Sequence, residues 1–221
     1  ERIDFFSFIG SSKVGWFLRS KLAPGTRCSL EHGGMAPTFI TKNSDLDLSA
    51  KSLARGGFYH AGQVCVSVQR IYLSKKVSDI FIDKFKEEVK NVNLGDPMDK
   101  NTVVGPLIRD SEIKRVHQWV GESTENGSEL ILGGNILSES TYDKTIILNP
   151  KKEDKISQFE IFGPVVTINE FENLEKAIED ANSVNVAFQT SIFTNQIDEL
   201  LQFYAKINAS SVFHNDHTAF R

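Results

Sequence analysis

The sequence predicts an α/β fold in which helices cover both faces of a mostly parallel sheet. Short apolar stretches typical of strands alternate with longer stretches in which apolar residues recur at helical spacing. Chains that alternate in this way build parallel sheets with helices on both sides. The 221 residues are 40% hydrophobic and 24% charged, which is ordinary for a globular protein with a sizeable core.

The first elements form a strand, a turn and a helix. An apolar run rich in phenylalanine over residues 3–9 predicts a buried strand, and a helix-like segment follows Gly10 and Ser11. Free backbone N–H groups at such a helix start can bind an anion, although an ordinary strand-to-helix turn has the same pattern. Residues 27–30 predict the next strand, in which we expect Cys28 to pack in the core, and Glu31 ends it.

The remaining elements continue the alternation. Further strands are predicted at residues 37–41, 66–73, 130–132, 145–148, 165–168, 192–194 and 211–215. Further helices are predicted from residue 43 or 44 through 53, and around 77–89, 113–120, 174–181 and 197–204. Residues 95–106 predict a loop.

Cys65 is the centre of the most informative stretch. Gly57 and Gly62 precede it in the sequence, and a predicted strand begins directly after it at Val66. A thiol on such a turn is both positioned and reachable, as a nucleophile must be. Free cysteine is also among the most buried residue types, so Cys65 taken alone fits core packing better than a nucleophile.

Composition narrows the function classes. The net charge is −4 without a basic stripe, so nothing favours nucleic acid, and no apolar run approaches a membrane span of about 20 residues. Two cysteines are too few for a disulfide framework and favour a reducing, cytoplasmic location. The five histidines form no cluster at metal-ligand spacing, so we predict no metal site.

Three motifs follow one another along the chain. Glu31 stands before a glycine pair, 34 residues ahead of Cys65 in Gly-Gln-x-Cys, and Glu160 and Phe162 follow about 95 residues later in Glu-Ile-Phe-Gly-Pro. This order resembles the aldehyde dehydrogenase superfamily over nearly the whole chain. The resemblance implies the catalytic-domain fold of that superfamily. Residues 1–34 would be the end of an NAD(P)-binding domain, and residues 35–221 the catalytic domain.

The resemblance also implies a reaction. Cys65 would attack an aldehyde, hydride would pass to NAD or NADP, and Glu31 would activate the water that hydrolyses the resulting thioester. Glu160 would accept hydrogen bonds from the nicotinamide ribose, and Phe162 would pack near the ring. The turn at Gly10 and Ser11 would face the cofactor pyrophosphate.

Departures from the family pattern keep an alternative open. Ile9 replaces a threonine, His32 stands at a usually apolar position, and Val186-Ala187-Phe188 replaces Tyr-Gly-Leu. A non-catalytic protein that kept the fold as a binding module fits these changes. A coenzyme A-acylating enzyme fits less well, because such members lack a hydrolytic glutamate at the position of Glu31.

The chain starts without methionine and in the middle of the family pattern, so we expect a fragment of a longer protein. Alone it would neither bind cofactor well nor turn over. The parent protein would be a homodimer or homotetramer that acts on a small-molecule aldehyde.

Overall fold

The computed structural model describes residues 3–184 and 188–219, which form two sheets. The first has two parallel strands, β1 (Phe5–Gly10) and β2 (Arg27–His32), joined by helix α1 (Ser12–Arg19). The predicted strand, turn and helix are therefore present. Val186 and Ala187, where the sequence departs from the family pattern, lie outside the described residues.

The prediction that β1 is buried is wrong for the described structure. Phe5 is 59% exposed and Ile9 is 83% exposed. A sheet of two strands covered by one short helix leaves a face and its edges open. For the same reason Cys28 on β2 is only half-buried rather than packed in the core.

The second sheet has seven strands and forms the body of the molecule. Their spatial order is β5-β6-β7-β4-β3-β8-β9, and every neighbouring pair is parallel except β5 with β6. The strands are β3 (Pro37–Ile40), β4 (Arg70–Ser74), β5 (Glu129–Leu132), β6 (Thr145–Leu148), β7 (Val165–Phe171), β8 (Gln189–Phe193) and β9 (Ser211–His214). The mostly parallel sheet is confirmed.

Helices cover both faces of this sheet, as predicted. They are α2 (Leu46–Phe58), α3 (Ser78–Lys90), α4 (Asp110–Glu125), α5 (Lys155–Gln158), α6 (Leu174–Asn182) and α7 (Ile197–Lys206). On one face Leu53 and Phe81 are fully buried in the larger apolar core, and on the other Phe39 packs edge-on to Phe203 at 4.8 Å between ring centroids.

One strand boundary differs from prediction in a way that matters for the site. The strand predicted over residues 66–73 begins at Arg70, because the residues before it form turns. The Ser67 N–H donates to the Val64 carbonyl at 3.0 Å, and the Ser67 hydroxyl donates to the Gly56 carbonyl at 3.2 Å. The alternating valines there reflect turn packing rather than a strand.

The two sheets are separated by a short segment between His32 and Pro37. The assignment of residues 1–34 and 35–221 to different domains stays a prediction. Across the described ranges, every helix is too short or too polar to cross a bilayer.

Candidate active site

The backbone around Cys65 is sharply bent. Helix α2, whose Asp45 cap accepts hydrogen bonds from the N–H groups of Asp47 and Leu48, ends at Phe58. In the turn that follows, His60 and Ala61 have φ of 51° and 55°, a left-handed conformation unusual for residues other than glycine. Cys65 follows on an exposed turn, so the core-packing alternative does not apply to it.

Hydrogen bonds hold the two sides of this turn. Before Cys65, the Gln63 carboxamide accepts from the Ile108 N–H at 2.9 Å and donates to the Pro106 carbonyl at 3.2 Å. After it, the Val66 carbonyl accepts from the Thr218 hydroxyl at 2.7 Å. The thiol is therefore presented on a braced loop, which limits its conformational freedom before any reaction.

The three motifs meet through glycine contacts. A Cβ on Gly34 would lie 3.3 Å from the Cys65 carbonyl oxygen, so the segment after Glu31 runs alongside the cysteine turn. A Cβ on Gly62 would lie 2.1 Å from the Gly163 carbonyl oxygen, so that turn packs directly on the loop that carries Glu160. Glycine is required where backbones approach this closely.

Glu160 lies at this meeting point. A Cβ on Gly33 would lie 1.9 Å from a Glu160 carboxylate oxygen, and the other oxygen, Oε1, is buried without a hydrogen-bond partner among residues 3–184 and 188–219. Burial raises the pKa of Glu160 to about 7, while a hydrogen bond from the Gly34 backbone and the charge of Arg115 act in the opposite direction. The carboxyl therefore titrates near neutral pH.

Glu31 lies at the end of β2 and is exposed. Its Oε1 accepts a hydrogen bond from the Ser29 hydroxyl at 3.2 Å. The chain from Glu31 leads within three residues to Gly34, beside the Cys65 carbonyl. The structure thus brings the cysteine turn, the glycine pair and the Glu160 loop together, and places Glu31 on the strand that enters this cluster.

The predicted cofactor residues lie on both sides of the cluster. Phe162 is 41% exposed with a left-handed φ of 50°, and it lines a small pocket with Gly34, Val64 and Glu160. Gly10 is the β1 partner of His32, next to Glu31 in the strand register. Ser11 precedes α1 without capping it through its side chain, and the first turn of α1 carries no acidic residue.

Gln69 holds the segment on both sides of Glu160, and the sequence pattern did not single it out. Its Oε1 accepts from the Ile161 N–H at 2.8 Å, and its Nε2 donates to the carbonyls of Ile156 at 3.2 Å and Phe159 at 2.8 Å. These bonds fix the loop on both sides of Glu160. The available signal was a polar residue at the end of the alternating run VCVSVQ, which we interpreted as part of a strand.

The aldehyde dehydrogenase family model matches residues 1–221, the whole chain. The chain belongs to the aldehyde dehydrogenase family. Among curated relatives it is 35% identical over 219 residues to the 3-sulfolactaldehyde dehydrogenase of Priestia aryabhattai, covering 99% of this chain and 46% of the relative. It is 36% identical over 221 residues to the lactaldehyde dehydrogenase of Methanococcus vannielii, covering 100% of this chain and 47% of the relative.

Solved structures agree with the fold. The glyceraldehyde-3-phosphate dehydrogenase of Methanocaldococcus jannaschii, complexed with NADP, superposes with a TM-score of 0.94 at 35% identity, covering 99% of this chain and 47% of that chain. Aldehyde dehydrogenase 21 of Physcomitrella patens, complexed with the product succinate, superposes with a TM-score of 0.94 at 30% identity. The match covers 99% of this chain and 45% of that chain. The chain thus spans about half the length of the relatives it matches.

Proposed function

We propose that the protein carrying this chain oxidises an aldehyde to a carboxylic acid with NAD or NADP, through a thioester on Cys65. The observation that carries the proposal is the exposed Cys65 on a turn braced by hydrogen bonds, packed beside Gly34 and the Glu160 loop. Family membership supports the same chemistry.

The residues present fit a dinucleotide. Glu160 Oε1 is a buried acceptor without a partner in the described structure, as a residue that bonds to ribose hydroxyls requires. The first turn of α1, after Gly10 and Ser11, offers backbone N–H groups to phosphate without a competing side-chain cap or acidic group. Bound there, the nicotinamide would accept the hydride released from the substrate carbon.

In the first step the Cys65 thiolate forms a bond to the aldehyde carbon, and the carbonyl π electrons move to oxygen. The backbone N–H of Cys65 is the proposed donor to this oxyanion, because it lies next to the attacking sulfur. The thiolate form is the nucleophile, and sulfur later leaves readily. Collapse of the oxyanion with loss of hydride gives a thioester.

Glu31 is proposed to hydrolyse that thioester. Its carboxylate takes a proton from water as the water oxygen attacks the acyl carbon, and the Cys65 sulfur leaves as thiolate. The products are the carboxylic acid and the free enzyme. Phe162 is proposed to pack against the nicotinamide, which keeps the hydride acceptor on one face of the reacting carbon.

Three finer proposals come from the sequence rather than from contacts. The protein is proposed to be cytoplasmic, to form a homodimer or homotetramer, and to hydrolyse its thioester rather than transfer the acyl group to coenzyme A. Product analysis with and without coenzyme A tests the last point. A coenzyme A requirement would contradict a role for Glu31 in hydrolysis.

The test of the main proposal compares Cys65→Ser with Cys28→Ser in the complete protein that contains this sequence. Cys65→Ser is expected to lower aldehyde-dependent NAD(P)H formation by more than about 10³-fold, because the nucleophile is lost. Cys28→Ser should retain activity. Full activity in Cys65→Ser would contradict the role of Cys65. The absence of aldehyde-dependent NAD(P)H formation by the unmodified protein would favour the alternative, a non-catalytic protein that uses the same cleft for binding.

A further inference from the structure

An open cavity of about 610 Å³ lies beside the cysteine turn. Its lining comes from the end of α2, from the segment before Cys65 and from the C-terminal segment. The lining residues are Arg55, Tyr59, His60, Val64, Asp216, His217 and Ala219. Val64 directly precedes Cys65, so the cavity adjoins the turn that carries the thiol.

Close packing fixes His217 next to Arg55. A Cβ on Gly56 would lie 2.7 Å from the His217 Cβ, so only glycine at that position lets the C-terminal segment contact α2 there. The neighbouring Thr218 hydroxyl bonds to the Val66 carbonyl at 2.7 Å, which ties the same segment to the far side of the cysteine turn. Arg55 and His217, which are far apart in sequence, thus lie near each other in the lining of the cavity.

Arg55 contributes a positive charge to this cavity, and no ion pair within the described residues neutralises it. The side chain is exposed, and within the described ranges its guanidinium has neither an ion pair nor a hydrogen bond. The acidic residue of the cavity, Asp216, already accepts hydrogen bonds through Oδ1 from the Ser52 hydroxyl at 3.2 Å and the His217 N–H at 2.7 Å. Arg55 therefore keeps its donors and its charge for a ligand.

His217 adds a neutral donor. Its Nδ1 accepts a hydrogen bond from the Ala219 N–H at 3.0 Å, so the ring proton is on Nε2. Burial, offset in part by Asp216, lowers the pKa of His217, and the nearby Arg55 charge lowers it further. The imidazole is neutral at neutral pH, and its Nε2–H remains a hydrogen-bond donor.

We propose that Arg55 is a specificity-determining residue that binds a fixed negative charge on the substrate, at the end remote from the aldehyde carbon. The substrate class is a short aldehyde that carries a phosphate, a sulfonate or a carboxylate, with His217 Nε2–H as a second donor to the same group. A guanidinium suits such oxyanions because its planar donors bind two oxygens at once. This inference rests on the proposed function, since it assumes that the aldehyde is attacked by Cys65.

The experiment measures kcat/KM in the complete protein for three pairs of aldehydes, each with a charged and a neutral member. The pairs are glyceraldehyde 3-phosphate with glyceraldehyde, 3-sulfolactaldehyde with lactaldehyde, and succinic semialdehyde with butanal. At least one charged member should be preferred by about 10-fold or more, and the pair with the largest ratio identifies the anion. Arg55→Met should lower kcat/KM for that member by about 10- to 100-fold and leave its neutral partner within about twofold.

Matched variants keep the result interpretable. Lys86→Met removes a positive charge from a partly exposed position on α3 and should leave kcat/KM unchanged for both members of each pair. Arg55→Lys keeps the charge but loses the planar donors, and should retain part of the preference. If Arg55→Met lowers the melting temperature of the protein, kcat/KM is compared in Arg55→Lys instead. Lysine keeps the approximate length and the charge of the side chain.

Two results would overturn the inference. Either no charged aldehyde has a higher kcat/KM than its neutral partner, or Arg55→Met lowers kcat/KM equally for both members of a pair. Both leave the proposed function intact if activity still depends on Cys65. Activity that survives Cys65→Ser would instead contradict the proposed function, whatever the Arg55 variants show.

Discussion

The two sheets of this molecule differ in how their side chains are covered. In the seven-stranded sheet, Ile40 on β3 and Ile71 on β4 are fully buried, with helices on both faces. In the two-stranded sheet, Phe5 and Ile9 on β1 are more than half exposed. Apolar burial is the dominant favourable term in folding, so most of the stability of the described chain lies in the larger sheet.

The candidate site lies at the junction between these two regions. Residues 33 and 34 leave the small sheet and contact the Glu160 carboxylate and the Cys65 carbonyl, both of which are carried by loops of the large sheet. The large sheet thus supplies the rigid support, and the small sheet supplies Glu31 and the proposed phosphate-binding turn. Substitutions in the core of the large sheet should therefore lower stability, whereas substitutions at Glu31 should change the proposed reaction with little effect on stability.

The largest expected effect on stability is a core truncation. Leu53→Ala removes a fully buried side chain beneath the seven-stranded sheet and should lower the free energy of unfolding by about 2–5 kcal/mol. Ile9→Ala on the exposed strand should cost less than about 1 kcal/mol. Urea unfolding of the 221-residue chain measures both. Equal losses would contradict the division of stability between the sheets.

A smaller loss of stability is expected from a substitution at Gln69, which connects the large sheet to the Glu160 loop. Gln69→Ala removes three hydrogen bonds from a buried carboxamide and leaves their backbone partners unpaired, so unfolding should become easier by about 2–3 kcal/mol. In the complete protein, cofactor affinity should also fall. Gln202→Ala, on the exposed side of α7, is the matched control and should change neither quantity. A stability loss without any change in cofactor affinity would argue against a positioning role.

The pH dependence of stability tests the burial of Glu160. Its pKa is raised from 4.5 to about 7 in the folded chain, so the folded state favours the protonated carboxyl. The resulting contribution is fully present below pH 4.5 and is lost as pH rises toward 7, because the unfolded chain ionises first. After allowance for partial exposure, the loss is on the order of 2 kcal/mol.

Glu160→Gln should remove this pH-dependent component, since the amide does not titrate. Urea unfolding at pH 5 and pH 7.5 for both proteins measures the difference. A slope that is unchanged in Glu160→Gln would show that another group causes it.

The smallest expected effect is Cys28→Ser on the half-buried side of β2. Its free energy of unfolding should change by less than about 1 kcal/mol, because little apolar surface is lost there. A loss comparable with that of Leu53→Ala would mean that the small sheet is buried more completely in solution than the exposed strand indicates.

Much of the architecture could be predicted from the sequence because the signals are local. The periodicity over residues 77–89 predicts α3, and the apolar run at residues 165–168 predicts β7, whose observed bounds extend to Phe171. Burial of β1 could not be predicted, because it depends on which other strands pair with it. The start of β4 was predicted four residues too early, because the valines around Cys65 alternate with the spacing typical of a strand.

The site was only partly predictable for a related reason. The motifs identified Cys65, Glu31 and Glu160 along the chain, but the glycine contacts that bring their segments together are properties of the folded backbone. Gln69 and Arg55 carry no motif, and their significance depends on partners that are distant in sequence. The raised pKa of Glu160 likewise arises from burial against residue 33, which no local pattern encodes.

The most direct test is to trap the acyl intermediate on sulfur. The complete protein with Glu31→Gln is mixed with an aldehyde and NAD or NADP, quenched and digested, and the peptides are weighed by mass spectrometry. We expect the peptide that contains Cys65 to gain the mass of the acyl group, with about one reduced cofactor formed per adduct. Reduced cofactor without an acyl group on Cys65, or an acyl group on a different residue, would contradict the assignment of the nucleophile.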